Sequence, residues 1–293
     1  MQAASEAIFR LGYYPWITQN KPADQIRTSI NLFASAFEKE LQKEKGLTQA
    51  KVVVTDPVDV PQQIDRIAAN ERTIELMNPL GFVFGQLKSQ KIEAVAVAQR
   101  IIDGRIGVTY FAQLYTHVDS GISTIAQAIQ KSVGYGVTYS TSNFLIPALD
   151  LSEKQIHPFC GFKTVQFLGG HDIVAKAVYN QQIALGAGHD GVIIDLSKQP
   201  GFEDAQSKLK TLLRSAPIPS DPVVVNIPDA DECEKVTAAL IRAGATDDGK
   251  RALADFWGNV QGLAAASSND YNVIKTAIND LHFKSEDLLP KVH

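Results

Sequence analysis

Three hydroxyl residues in a row, Ser140, Thr141 and Ser142, follow the apolar run Val133 to Val137 and lead into Phe144-Leu145-Ile146-Pro147. Ser, Thr and Asn cap helix N-termini, and Pro is tolerated near a helix start because the first N–H groups have no intrahelical partner. The stretch therefore reads as strand, hydroxyl turn, helix. That order aims unpaired N–H groups, the positive end of a helix dipole and three hydroxyls at one point, which suits an oxyanion. An ordinary N-cap with two spare hydroxyls is the simpler reading of the same residues. Two further polar turns carry histidine: Gly169-Gly170-His171-Asp172 and Gly186-Ala187-Gly188-His189-Asp190-Gly191. The glycines before His171 let the backbone come close to a ligand, and His171 stands at a helix start. A protonated His171 would donate from both ring nitrogens and add charge to an oxyanion seat. The two His-Asp pairs also allow a mononuclear metal site with an open position, although no His-x-x-x-His or other tight ligand spacing accompanies them. Nucleophile elbow, Gly-x-Gly-x-x-Gly after the first strand and phosphate loop are all missing, which favours a binder over an enzyme.

These residues need strands and helices to hold them. Ile8 to Tyr13 alternates as a strand, and Tyr14-Pro15-Trp16 follows as an aromatic loop. Ile26, Ile30, Phe33, Phe37 and Leu41 recur at helical spacing, with Gly46 just beyond. Lys51–Thr55, Ile74–Met77 and Ala94–Ala98 are further strands, separated by helices over Pro61–Asn70 and from Asn78 to Leu87. This alternation predicts an α/β fold with a mainly parallel sheet covered by helices. Arg105 to His117 is long and extended and contains Tyr110. Thr124-Ile125-Ala126-Gln127 has the spacing of a capping box. A second α/β unit then fills roughly 110 to 200, with strands at Phe162–Leu168 and Gln182–Leu185. Val223-Val224-Val225 is one more strand, and the remainder reads as helices that add nothing to either sheet. The expected division is one lobe of 1–109 with 222–293 and a second lobe of 110–221, with two crossing strands as hinge. In open parallel sheets ligands lie beyond the carboxyl ends of strands. Tyr13-Tyr14, Asn78, the hydroxyl triplet, His171 and Asp190 all follow strands, so they are expected to converge on one cleft. Tyr13 and Tyr14 could equally plug the sheet edge, and Tyr110 could be a core aromatic.

Composition bounds the reading. The chain has 293 residues, 45% hydrophobic and 20% charged, with a net charge of −4. No basic block supports a nucleic-acid partner. No apolar run approaches the roughly 18 residues of a membrane span. Cys160 and Cys233 are too few for a disulfide scaffold, have no zinc-site spacing, and read as free thiols.

Taken together, these motifs resemble the substrate-binding proteins of phosphonate and phosphite ABC transporters over almost the whole chain. The landmarks are Gly12 to Pro15, Asp119-Ser120-Gly121-Ile122, Ser140-Thr141-Ser142 before Leu145-Ile146-Pro147, Gly170-His171-Asp172, and Ile218-Pro219-Ser220-Asp221-Pro222. The resemblance implies a two-lobed periplasmic-binding-protein fold of the second type and a monomer without cofactor. Such a protein captures a phosphonate-like solute and delivers it to the membrane permease of an importer. It implies ligand contacts from Ser140, Thr141, Ser142, His171 and Tyr110, with Asp190 and Asp221 facing a ligand amine and Tyr13 nearby. It also implies a periplasmic or membrane-anchored location, and Met1-Gln2-Ala3-Ala4-Ser5-Glu6 has no leader pattern, so a leader is expected outside this sequence. Three features depart from the family pattern: Pro57 after Thr55-Asp56, Asn143 after the triplet, and the Gly186–Gly191 run. No Arg or Lys belongs to any of the clusters, so Asp190 and Asp221 would leave negative charge beside an anion. A ligand with a cationic end would resolve that conflict. A metal-dependent hydrolase or lyase using His171 and His189, or a ligand sensor with the same fold, are the alternatives.

Overall fold

Runs of β-branched residues alternate with helical periodicity through the first hundred residues, and the backbone follows that alternation. The computed structural model describes residues 7–15, 21–102 and 104–289. The first strands are β1 (Ile8–Gly12), β2 (Lys51–Val54), β3 (Thr73–Leu76), β4 (Ile92–Ile102) and β5 (Arg105–Gly107). The helices between them are α1 (Ala23–Leu41), α2 (Val60–Ala69) and α3 (Pro79–Lys88). Helix α1 buries the predicted stripe, with Ile30, Phe33, Phe37 and Leu41 wholly inaccessible. Helices α2 and α3 each carry an Asx cap: Asp59 accepts from Gln62 N at 3.0 Å and Asn78 from Gly81 N at 2.7 Å. Trp16, the end of the expected aromatic loop, lies outside the described residues.

The middle of the chain adds β6 (Thr109–Tyr110), β7 (Ala112–His117), β8 (Ser132–Tyr135), β9 (Thr164–Phe167), β10 (Leu185–His189), β11 (Leu209–Arg214) and β12 (Ile218–Pro219). Its helices are α4 (Ile146–Glu153), α5 (His171–Tyr179), α6 (Val192–Ser197) and α7 (Ala205–Lys208). The expected capping box exists, with Gln127 Oε1 accepting from Ser123 N and Thr124 N, but it opens only a four-residue 3-10 turn. The strand order is β11-β7-β10-β8-β9. Strands β10, β8 and β9 are mutually parallel, while β7 runs antiparallel to β10 and β11. Two details differ from the sequence reading. Strand β11 was not foreseen. The glycines of 186–188 are strand, not turn. A Cβ on Gly186 would lie 2.7 Å from Val178 Cγ2 and 2.9 Å from the Tyr115 ring, and one on Gly188 would lie 2.9 Å from Val192 Cγ1. Close packing, not a bend, requires glycine there.

After β12 come β13 (Pro222–Asn226), α8 (Ala230–Ala245), α9 (Asp247–Trp257), β14 (Val260–Ala265), α10 (Asn272–Asp280) and α11 (Ser285–Leu288). The first sheet has the order β14-β4-β13-β3-β1-β2, with β5 on β4. It is mixed: β1 is parallel to β2 and β3, whereas β13 and β14 are antiparallel to their neighbours. The expectation that the C-terminal part adds no strand fails at β14, whose Gln-Gly-Leu-Ala-Ala composition has little strand character. The chain divides into two units, the described residues up to Thr109 with Pro219–Asn272, and Tyr110–Ile218 with those from Val273 onward. Residues 273–289 had been expected with the first unit. They group with the second because Phe283 stacks on Phe144 at 5.7 Å and Thr138 Oγ1 donates to the Leu288 carbonyl at 2.5 Å. Strands β6 and β12, in which the chain leaves the first unit and returns to it, form a separate two-stranded sheet.

Candidate functional site

Strand register in the second unit decides which side chains share an edge. Strands β8, β9, β10 and β11 all point the same way, and His189 at the end of β10 stands opposite Ala112 at the start of β7. One edge of this sheet therefore gathers the loops after β8, β9, β10 and β11 and the approach to β7. Those segments contain Ser140–Ser142, His171, His189-Asp190, Arg214 and Tyr110.

The hydroxyl turn opens a π-helical turn over Thr141–Leu145, which runs straight into α4. Ser140 is the N-cap: its Oγ accepts from Asn143 N at 3.2 Å. Ser140, Thr141, Ser142 and Asn143 are all buried, at 4%, 2%, 4% and 1% exposure. Asn143 Oδ1 is buried without a partner, and the Asn143 amide rests on Gly136, where a Cβ would lie 2.4 Å from Nδ2. Buried polar atoms that the fold leaves unsatisfied are uncommon and call for an explanation.

His171 is the first residue of α5, and Gly170 is its N-cap. The Asp172 carboxylate faces Lys176 at 3.5 Å. Helix α5 is locked by Val174, Ala175 and Val178, packed on Tyr115 and Val192, which fixes where its first turn points. His171 Nδ1 accepts from the His189 backbone N–H at 3.3 Å. That bond puts the neutral ring's proton on Nε2, so Nε2–H is the donor His171 presents. The His171 and His189 rings meet edge to face at 4.7 Å. Burial, and then the neighbouring His189, push the His171 pKa well below the ordinary imidazole value, with Asp195 opposing them. The doubly protonated donor expected from sequence is thus replaced by a neutral one. His189 Nδ1 accepts from Gly191 N at 3.1 Å and its Nε2 lies 3.9 Å from Asp195 Oδ2. Among the described residues no group of three or more His, Cys, Asp or Glu is placed to hold a metal ion.

The two acids are placed differently from the expectation that no basic residue accompanies them. Asp190 Oδ2 lies 3.8 Å from Arg214 Nη2. Asp221, in the first unit, is 8% exposed and accepts from Arg100 Nη2 at 2.5 Å. Arg100 also donates to Ser220 Oγ at 2.9 Å and to the carbonyls of Trp257 and Gly258 at 3.1 Å each. Burial raises the Asp221 pKa and Arg100 pulls it back. Tyr13, beyond β1, is 1% exposed and meets Phe256 edge-on at 5.8 Å, and Tyr14 Oη accepts from Trp257 Nε1 at 3.3 Å. Burial raises the Tyr13 pKa. Tyr110, in β6, is 7% exposed. The sequence reading missed Arg100 and Arg214 altogether, because each stands far along the chain from its acid.

The whole sequence carries one further signal. Residues 17–271 match the family described as the periplasmic substrate-binding protein of phosphonate ABC transporters. The chain belongs to that family. Solved structures share its fold. A binding-protein component of an ABC phosphonate transporter from Pseudomonas aeruginosa superposes with a TM-score of 0.70 at 20% identity, over 94% of this chain and 87% of that one. A Prochlorococcus marinus protein in complex with methylphosphonate gives 0.73 at 16%, over 94% and 98%. A Xanthomonas citri protein bound to ATP gives 0.75 at 15%, over 97% and 100%. As a phosphonate-transporter binding protein, this chain is a solute-binding component whose partners are a small molecule and a membrane permease. Among the described residues no helix is long and apolar enough to cross a membrane.

Proposed function

We propose that this binding protein holds a phosphonate or related phosphorus oxyanion by its oxygens at the 140–142 turn and His171. The observation that carries the proposal is the donor set there. Ser142 is 4% exposed beside the N-cap Ser140, and His171 is held so that Nε2–H is its free valence for an acceptor. Both stand at helix starts on one sheet edge, where the dipoles favour an anion. Ser140 and Thr141 precede Ser142 in the same turn, and Tyr110 lies on the approach to β7 at the same edge. Tyr13 and Asp221 of the first unit are retained as proposed ligand contacts. The protein acts without turnover, cofactor or nucleic acid, as a monomer in the periplasm or anchored to the outer face of the membrane. Its cargo passes to an importer.

Calorimetry with methylphosphonate, phosphite and inorganic phosphate on wild type and Ser142→Ala tests the reading. Saturable binding of at least one of the three, weakened about tenfold or more in the variant, is expected from losing a hydrogen bond to a charged group. Binding by none of them, or equal binding by both proteins, would remove the seat.

A further inference from the structure

The edge that carries the oxyanion seat has its carboxylates in matched pairs. Asp190 is held rigidly: its N–H donates to the Phe111 carbonyl at 3.0 Å and its carbonyl accepts from Gln113 Nε2 at 3.4 Å. Gln113 is itself fixed by Thr211 Oγ1 at 2.5 Å. Arg214 stands opposite Gln113 in the β7–β11 register. Its guanidinium carbon lies 3.7 Å from the Phe111 ring centroid, and Nη2 faces Asp190 Oδ2 at 3.8 Å. A guanidinium stacked on an aromatic face has a defined position and does not trade places readily with an ammonium. The other acids on this edge are matched too: Asp172 faces Lys176 at 3.5 Å, and Asp195 faces Lys198 at 2.9 Å. Asp221, the acid of the first unit, has Arg100 at 2.5 Å.

Resting on the oxyanion reading above, we propose that the protein takes phosphonates with uncharged or anionic tails, and that Arg214, by occupying Asp190, turns aminoalkyl phosphonates away. An ammonium tail leaving water here meets carboxylates already committed to cations. Its desolvation goes uncompensated, and it adds repulsion against Arg214. A methyl or ethyl tail loses no hydration of that kind and keeps every bond at the phosphoryl end. Discrimination arises from a repulsive element, not from an added attraction. The charge conflict that pointed to a cationic ligand in the sequence is resolved inside the protein instead.

The test is calorimetry with ethylphosphonate and 2-aminoethylphosphonate on wild type, Arg214→Ala and Arg214→Lys. Wild type is expected to bind ethylphosphonate about tenfold tighter or more, the factor that 1.4 kcal/mol produces. Arg214→Ala frees Asp190, so the ratio should shift toward the amine by about tenfold, while affinity for ethylphosphonate stays within about threefold. Arg214→Lys keeps the charge and should keep the wild-type order, which separates charge from packing. The Arg214 side chain is 41% exposed, so its truncation leaves the core intact. Tighter binding of the amine by wild type, or a ratio unchanged in Arg214→Ala, would overturn the inference and leave the oxyanion seat standing. Failure of wild type to bind either compound would overturn the seat and the inference with it.

Discussion

Ser140 and Ser142 separate what the 140–142 turn does for folding from what it does for a ligand. Ser140 Oγ is used up by the fold, capping Asn143 N at 3.2 Å. Replacing a serine cap by alanine costs about 1 kcal/mol, within a range of about 0.5–2. In a chain of this size that is a loss of roughly 2–4 °C in melting temperature. Ser142 is 4% exposed and is not the cap residue. Ser142→Ala takes no cap from the helix start, so the melting temperature should fall less than in Ser140→Ala. Binding should respond the opposite way. A hydrogen bond to a charged oxygen is worth about 1.5–3 kcal/mol, roughly 10- to 150-fold in affinity. The measurements are thermal unfolding of the free proteins and calorimetric titration with methylphosphonate. If Ser142→Ala melts as early as Ser140→Ala and binds like wild type, Ser142 is a second structural hydroxyl and the seat is misassigned.

Gly12→Ala should be severely destabilising, by about 3 kcal/mol or more. A Cβ there would lie 2.2 Å from Arg66 Nη2 and 2.3 Å from Glu75 Oε2, forcing apart a pair whose carboxylate is wholly buried; a urea midpoint near that of wild type would contradict this. Because folding holds the His171 pKa below its unfolded value, the unfolded chain binds more protons just under the ordinary imidazole pKa, about 6.5. His171 therefore withdraws stability as the pH falls below that point, by up to about 1.4 kcal/mol per unit, and urea titrations of His171→Gln at several pH values should show a shallower acid slope. Asp150 has its pKa raised to about 6, first by burial and then by Glu153. Its cost to stability is absent below the unfolded value and complete above pH 6, so Asp150→Asn should stabilise at pH 8, on the order of 1 kcal/mol, and do little near pH 4.

The local parts of this fold were legible because they are written locally. Ile26, Ile30, Phe33, Phe37 and Leu41 announce α1 by spacing alone, and Asn78-Pro79 announces the start of α3 by capping chemistry. The hydroxyl turn was legible for the same reason, since cap residues and a following apolar helix lie side by side in the chain. Its π-helical first turn was not, because residue types do not distinguish a π turn from an α turn. What failed depends on distant partners. Strand β14 exists because β4 offers an edge to it, not because Val260–Ala265 has strand character. Residues 273–289 go to the second unit because Phe283 finds Phe144. Arg100 and Arg214 carry no local signal of their pairing; only the folded sheets bring Asp221 and Asp190 beside them. The pattern around Gly186 and Gly188 misled for a related reason: their role is set largely by Tyr115, about seventy residues earlier, which packs against both.

Strand β13 lies between β3 and β4 at the centre of the first sheet, yet it is made last of the three. During synthesis β3 can pair with β1 and β4 with β5, but the two lack the strand that joins them, and the ribosome then makes every strand of the second sheet before Pro222–Asn226 appears. At about 5–20 residues per second that delay lasts many seconds, long compared with the folding time of a small domain. The second sheet, whose strands are contiguous in the chain, has time to form while the first waits with two open edges. Such edges are templates for pairing with other chains, so the nascent protein passes through an interval in which a holdase has the most to protect. Pulse proteolysis of stalled nascent chains ending before Pro222 and after the first turns of α8 would time that interval. A first sheet already protected in the shorter chain would rule this order out.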